Sequence, residues 1–205
     1  AGAAQDWLVL GAKLVVHVAI PALLLFMVGG AVRPLFDTGL NRPGFWPTLI
    51  VIGLLFLALL AVVSPSLRNI GALNPPVATL LWAAPLSYVL ISLEAGLSEE
   101  FLFRAVLQSR LAAFLRSPTG AIPVASIVFA LAHLPGLYLR GGPGVDGWST
   151  DPVQVAAFTI ATLSPLSLFF GFLWWRTRSL LLIVLLHGAI DVLPNMPEFL
   201  THFAR

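Results

Sequence analysis

The chain has 205 residues, of which 59% are hydrophobic and 10% charged. A soluble domain carries roughly 25% charged residues, so this composition excludes an ordinary soluble domain and describes an integral membrane protein. The formal net charge of +2 is too small for a nucleic-acid surface, and the absence of Cys removes disulfides, thiol nucleophiles, Cys-ligated zinc and self-lipidation.

A spanning helix needs about 20 mostly apolar residues. The first run that qualifies is roughly Leu8 to Val32, too long for a cleavable signal peptide and lacking a basic start. Lys13 within it is expected to snorkel to the near interface, and His17 to bond a neighbour. Arg33-Pro34 ends this span, and Asp37 to Pro43 reads as a polar loop. Trp46 to Val63 is the second span, with Trp46 as an interface anchor. Ser64-Pro65 stops it, and Arg68, Asn69, Asn74, Pro75 and Pro76 read as the next loop. The third span is Val77 to Gly96, kinked at Pro85, carrying Glu94 near its end and broken by Gly96.

Ser98 then reads as the N-cap of a fourth helix with Glu99 and Glu100 in its first turn, facing the positive end of the helix dipole. This helix runs to about Leu115. Arg104, Gln108 and Arg110 interrupt its apolar pattern, so its polar side is expected inside a bundle. The fifth span, Ile122 to Leu139, carries Phe129 and His133. The glycine-rich stretch from Arg140 to Thr150 reads as a linker, with a gate over a site as the functional alternative. Asp151-Pro152 caps the sixth span, Val153 to Trp175, whose Trp174 and Trp175 mark an interface. Ser179 to about Leu193 is a short seventh helix bearing His187 and Asp191, closed by Pro194 and Pro197. No internal repeat and no domain boundary is evident. The expected fold is all-α: one polytopic membrane bundle over residues 1–205 with about seven transmembrane helices.

Basic residues in short loops set orientation. With a cytoplasmic N-terminus, Lys13, Arg68, Arg110, Arg116, Arg176 and Arg178 fall inside, and Arg33, Arg42, Arg140 and Arg205 outside. Glu99, His133, His187 and Asp191 then lie at similar depth, in a cavity open to the non-cytoplasmic face.

Ionisable residues at membrane depth are costly, and each one is a functional candidate whose partner should be named. Residues four apart share a helix face, so Glu100 and Arg104 can pair, while Glu99 points elsewhere and can act as a general base on water. His133 and His187 can orient that water or donate to a developing oxyanion. Two His with Glu99 or Asp191 also make a set for a divalent metal such as zinc. A Ser nucleophile motif is absent. Three readings stay open on chemistry alone: a hydrolytic or metal site, a proton or ion pathway, and a structural network of buried pairs.

Glu99-Glu100-x-x-x-Arg104, Phe129-x-x-x-His133 and His187-x-x-x-Asp191, in that order on successive helices, resemble the CAAX protease and bacteriocin-processing family, also called the ABI or type II CAAX prenyl endopeptidase family. The resemblance covers roughly Val77 to Asp191, a motif-bearing core at about 77–192. It implies an intramembrane endopeptidase in which Glu99 activates water, His133 assists, His187 and Asp191 form the oxyanion side, Glu100 and Arg104 support the motif, and Phe129 packs beneath it. The last position is usually Asn in the eukaryotic prenyl proteases. An ionised Asp191 repels an oxyanion, so it is expected to be protonated, to orient His187, or to bind a metal. One bacterial branch, the myxosortases, looks like a sorting-tag peptidase. The Arg- and Ala-rich composition points to a GC-rich bacterium. The resulting expectation is a multi-pass enzyme of the bacterial cytoplasmic (inner) membrane, surrounded by lipid. Its expected partner is a protein or peptide substrate cut near the membrane, with a C-terminal sorting signal as the specific form. The non-enzyme rival is an ion-coupled carrier or scaffold with a degenerate protease site.

Overall fold

The computed structural model of the chain describes residues 2–143 and 145–204, and only the backbone of Arg140. Gly144 of the expected loop, Arg205 of the tail and the Arg140 side chain, two of which entered the orientation tally, lie outside the described residues. The architecture is all-α. The helices are α1 (Ala3–Met27), α2 (Phe45–Val63), α3 (Ser66–Leu73), α4 (Val77–Leu115), α5 (Pro118–Arg140), α6 (Pro152–Thr177) and α7 (Leu180–Phe203). All but α3 are long and apolar enough to cross a membrane, which gives six candidate spans among the described residues. α3, in a segment expected to be loop, is a single 8-residue helix.

The helix break expected at Gly96–Ser98 is absent: α4 is one helix of 39 residues. Magnitudes explain this. A glycine inside a helix costs about 1 kcal/mol, whereas each backbone group left unbonded in an apolar surrounding costs several. The chain keeps its helical bonds and absorbs the irregularity as two stretches of wider, i→i+5 bonded π-helix, Ser92–Leu97 and Phe101–Gln108. Ser98 is therefore not an N-cap. Its hydroxyl donates to the Glu94 carbonyl one turn back, as mid-helix serines do, and Glu99 and Glu100 gain nothing from a helix dipole. By the same economy α7 runs on through Pro194 and Pro197 to Phe203. It starts where the sequence indicated, with the Ser179 hydroxyl accepting from the Leu182 N–H at 3.2 Å.

The chain divides into two compact units, residues Ala1–Leu102 with Ser179–Arg205, and Phe103–Arg178. In the first, α7 packs against α2, α3 and the N-terminal part of α4, around Ala83, Val192, Met196, Phe199 and Leu200. Two glycines set the spacing of α4 and α7. A Cβ on Gly96 would lie 2.7 Å from the Val184 carbonyl oxygen, and one on Gly188 would collide with the Ser92 hydroxyl. Ser92 and Gly96 are four apart on α4, as are Val184 and Gly188 on α7. This is the small-residue seam that lets membrane helices approach backbone to backbone. The Tyr88 hydroxyl adds a bond to the Leu185 carbonyl at 2.9 Å.

In the second unit α5 lies along α6 and packs on the last turns of α4. Arg104 and Gln108 are buried and Arg110 is exposed, which matches the amphipathic pattern. The α5–α6 connection is pinned locally: the Trp148 indole donates to the Tyr138 carbonyl at 3.4 Å, and the Tyr138 hydroxyl to the Thr150 carbonyl at 3.3 Å. Asp151 caps α6 as expected, accepting from the Val153 N–H at 2.9 Å. Trp174 is packed inside the protein. It is 2% exposed, with its indole N–H on the Ser109 hydroxyl at 3.1 Å, because that serine satisfies the one polar atom of a ring otherwise suited to a core.

Candidate active site

In the first unit the close α4–α7 seam brings Glu99 and Glu100 beside His187. Glu100 is fully buried, and its Oε1 lies 2.6 Å from His187 Nδ1. On the other side of the ring, His187 Nε2 is 3.2 Å from Asp191 Oδ2 and 3.8 Å from Glu99 Oε2. Both ring nitrogens thus face carboxylate oxygens. An ionised carboxylate only accepts, so either the ring donates from both nitrogens or one carboxyl group carries a proton. The i,i+4 spacing of His187 and Asp191 is what a single helical turn needs to place them together. Asn195, another turn on, donates to the Asp191 carbonyl at 2.8 Å.

A residue that sequence reasoning placed elsewhere joins this cluster. Lys13 of α1 does not snorkel outward: its Nζ is 3.2 Å from Glu94 Oε1 and 3.9 Å from Glu99 Oε1. A lone Lys deep inside an apolar run was the available signal. A cavity of about 290 Å³ in the same unit is lined by residues of α1, α4 and α7, among them Trp7, Leu10, Ile91, Glu94, Asn195 and Phe199.

The remaining motif residues belong to the second unit. Arg104 is 1% exposed, and its guanidinium donates to the Ser167 hydroxyl at 3.0 Å and stacks 4.4 Å from the Phe129 ring centroid. Phe129 in turn meets Phe103 edge-on, with centroids 5.1 Å apart. His133 Nδ1 donates to the Phe129 carbonyl at 2.9 Å. A carbonyl cannot donate, so this bond requires the proton on Nδ1. It also gives a physical reason for the four-residue spacing of Phe129 and His133. Ser167, and Gly171, whose carbonyl accepts from Gln108 at 2.9 Å, are supports that no motif pointed to.

Among the described residues no three His, Asp or Glu side chains are grouped so as to hold a metal ion.

No curated protein and no solved structure matches the chain. The model of the Rce1-like family, described as type II CAAX prenyl endopeptidase Rce1-like, matches residues 80–193, more than half of the chain, from α4 into α7. That span holds all the motif residues. The family consists of membrane proteases acting on a protein or peptide at the membrane, and six apolar helices agree with a multi-pass membrane enzyme. The chain is a member of the Rce1-like type II CAAX prenyl endopeptidase family.

Proposed function

We propose that the protein is a glutamate-type intramembrane endopeptidase in which Glu99 activates the attacking water. The observation that carries this is the grouping of Glu99 Oε2 with His187 Nε2 at 3.8 Å, in a set completed by Glu100 and Asp191. That separation is too long for a direct hydrogen bond and suits a bridging water. Glu99 takes a proton from the water as its oxygen bonds to the scissile carbonyl carbon. The carbonyl oxygen becomes an oxyanion. The proton then passes to the leaving nitrogen as the C–N bond breaks, which yields a new carboxylic acid and an amine; the acid's proton then goes to the amine, leaving carboxylate and ammonium.

His187 is the oxyanion-side donor. Glu100 holds Nδ1 by a short bond, and the longer 3.2 Å contact of Nε2 to Asp191 is the one that yields to the developing charge. Asp191 then orients the ring and does not itself face the oxyanion. No step requires a metal.

The substrate we assign is an exported protein with a C-terminal membrane anchor, cut near the membrane in the manner of a sorting peptidase. The apolar walls and the polar Asn195 and Glu94 of the first-unit cavity suit a peptide segment leaving an apolar helix. Comparing C-terminal peptides of membrane and secreted proteins from cells with wild-type protein and with Glu99→Ala tests both levels. Segments retained only in the variant identify the substrates. Matching profiles from a folded variant overturn the hydrolytic role, and retained segments that are not C-terminal anchors overturn the sorting role alone.

A further inference from the structure

Lys13 is the eleventh residue of the 25-residue helix α1. At ~1.5 Å per residue it lies roughly 15 Å along the helix from its start, inside an apolar run. Lysines near helix ends reach the interface, but one this far along an apolar run is held by partners. Its partners here are two carboxylates of one helix, Glu94 at 3.2 Å and Glu99 at 3.9 Å. On a regular α-helix residues five apart point to different sides. Glu94 lies within the π-helical stretch Ser92–Leu97 and Glu99 two residues beyond it, and the wider turn of that stretch brings Glu94 and Glu99 toward the same ammonium. The two oxygens of Glu99 are divided: Oε1 faces Lys13 and Oε2 faces His187 Nε2.

We propose that Lys13 is a positioning residue for Glu99, with Glu94 as its tether. The ammonium fixes the rotation of the Glu99 carboxylate so that Oε2 points to the His187 side, where the water is attacked. Glu94, the closer partner, keeps the ammonium from collapsing onto Glu99 and occupying the base. Glu94 and Glu99 fall inside the matched family segment, whereas Lys13 lies outside it, since the match begins at residue 80. The device therefore joins α1 to the motif helix. It rests on Glu99 acting as the base.

The test uses the full chain in detergent or liposomes and an internally quenched peptide spanning a cut site mapped by the Glu99→Ala comparison. Lys13→Met is expected to lower kcat about 10- to 100-fold with KM unchanged, the scale of a small misplacement of a reacting group. Lys13→Arg should restore most of the rate. Glu94→Gln should also lower kcat, and Lys13→Met combined with Glu94→Gln should be no slower than Lys13→Met alone, because the tether has no ammonium left to hold. The double variant leaves neither charge unpaired, so it guards against misfolding as the cause. If Glu99→Ala abolishes cleavage while Lys13→Met keeps its kcat per folded molecule, or if Lys13→Arg fails to restore it, the positioning role is overturned and Glu99 keeps its own. If Glu99→Ala cleaves normally, the base assignment falls and this role falls with it.

Discussion

Glu100 Oε1 and His187 Nδ1 lie 2.6 Å apart, although 87 positions separate them in the chain. Both are buried, in a helix pair whose seam admits no extra methyl group. This contact converts two sequence motifs on different helices into one structural object. Leaving a buried hydrogen-bonding group without its partner costs about 1 to 3 kcal/mol, and more where that group is charged. Glu100→Ala should therefore lower the thermal midpoint of the purified protein sharply. Glu100→Gln, which keeps an acceptor oxygen, should recover most of the stability while still slowing cleavage. Equal midpoints for Glu100→Ala and wild type would show that the contact is not a stabilising one.

Asp191 is assigned an orienting role through its 3.2 Å contact to His187 Nε2. Asn offers an acceptor oxygen at the same place, and Ala offers none. Asp191→Asn should retain cleavage within about threefold, whereas Asp191→Ala should lose roughly 10-fold or more, the scale of a lost hydrogen bond to a charged group. Steady-state rates on the mapped peptide check this. Loss of activity in Asp191→Asn equal to that in Asp191→Ala would assign the carboxylate's charge, and not its acceptor, as the essential feature.

Gly188→Ala places a methyl against Ser92, and Gly96→Ala places one 2.7 Å from the Val184 carbonyl oxygen. The backbone oxygen cannot move aside as a side chain can, so Gly96→Ala should be the more damaging. Overpacking of this kind costs typically 1 to 3 kcal/mol. Both variants should reduce cleavage by spreading α4 and α7, and Ser92→Ala should partly restore Gly188→Ala. Thermal midpoints and rates on the same preparations provide the readout.

The helical plan was largely legible in the sequence, because long apolar runs leave the backbone little choice but helix. The same physics hid two details. Gly96, Pro194 and Pro197 are punctuation marks in water, but in an apolar surrounding α4 and α7 pass through all three. Gly96 reads as a breaker when its use is close packing, which a single helix pattern cannot reveal. In the site, the motif spacing announced His187 with Asp191 and Phe129 with His133, since each pair is one helical turn apart. The partners of Arg104 and Gln108, Ser167 and Gly171, are tertiary neighbours 63 positions away and carry no local signal. Lys13 stands out in its apolar run, where snorkelling is the ordinary expectation, and only its contacts with Glu94 and Glu99 overturn it.

Arg104 depends on shape as well as charge. A guanidinium stacks on Phe129 and reaches Ser167 at once, and a lysine ammonium has no planar face to do so. Arg104→Lys should cost about 1 to 3 kcal/mol, as expected for buried polar groups left without their bonds. Ser167→Ala should cost less, since the Phe129 stack survives. Denaturation of the two variants side by side checks the order.

The most direct measurement for the central claim is the single-turnover cleavage rate of Glu99→Gln on the mapped peptide, with folding confirmed by an unchanged thermal midpoint. Gln is nearly the same shape but cannot take a proton from water, and a general base contributes about 10²- to 10⁴-fold. A fall of at least ~10²-fold is the predicted result. A rate within about twofold of wild type, where a general base should count for hundreds, would contradict it and require the water to be activated by another group.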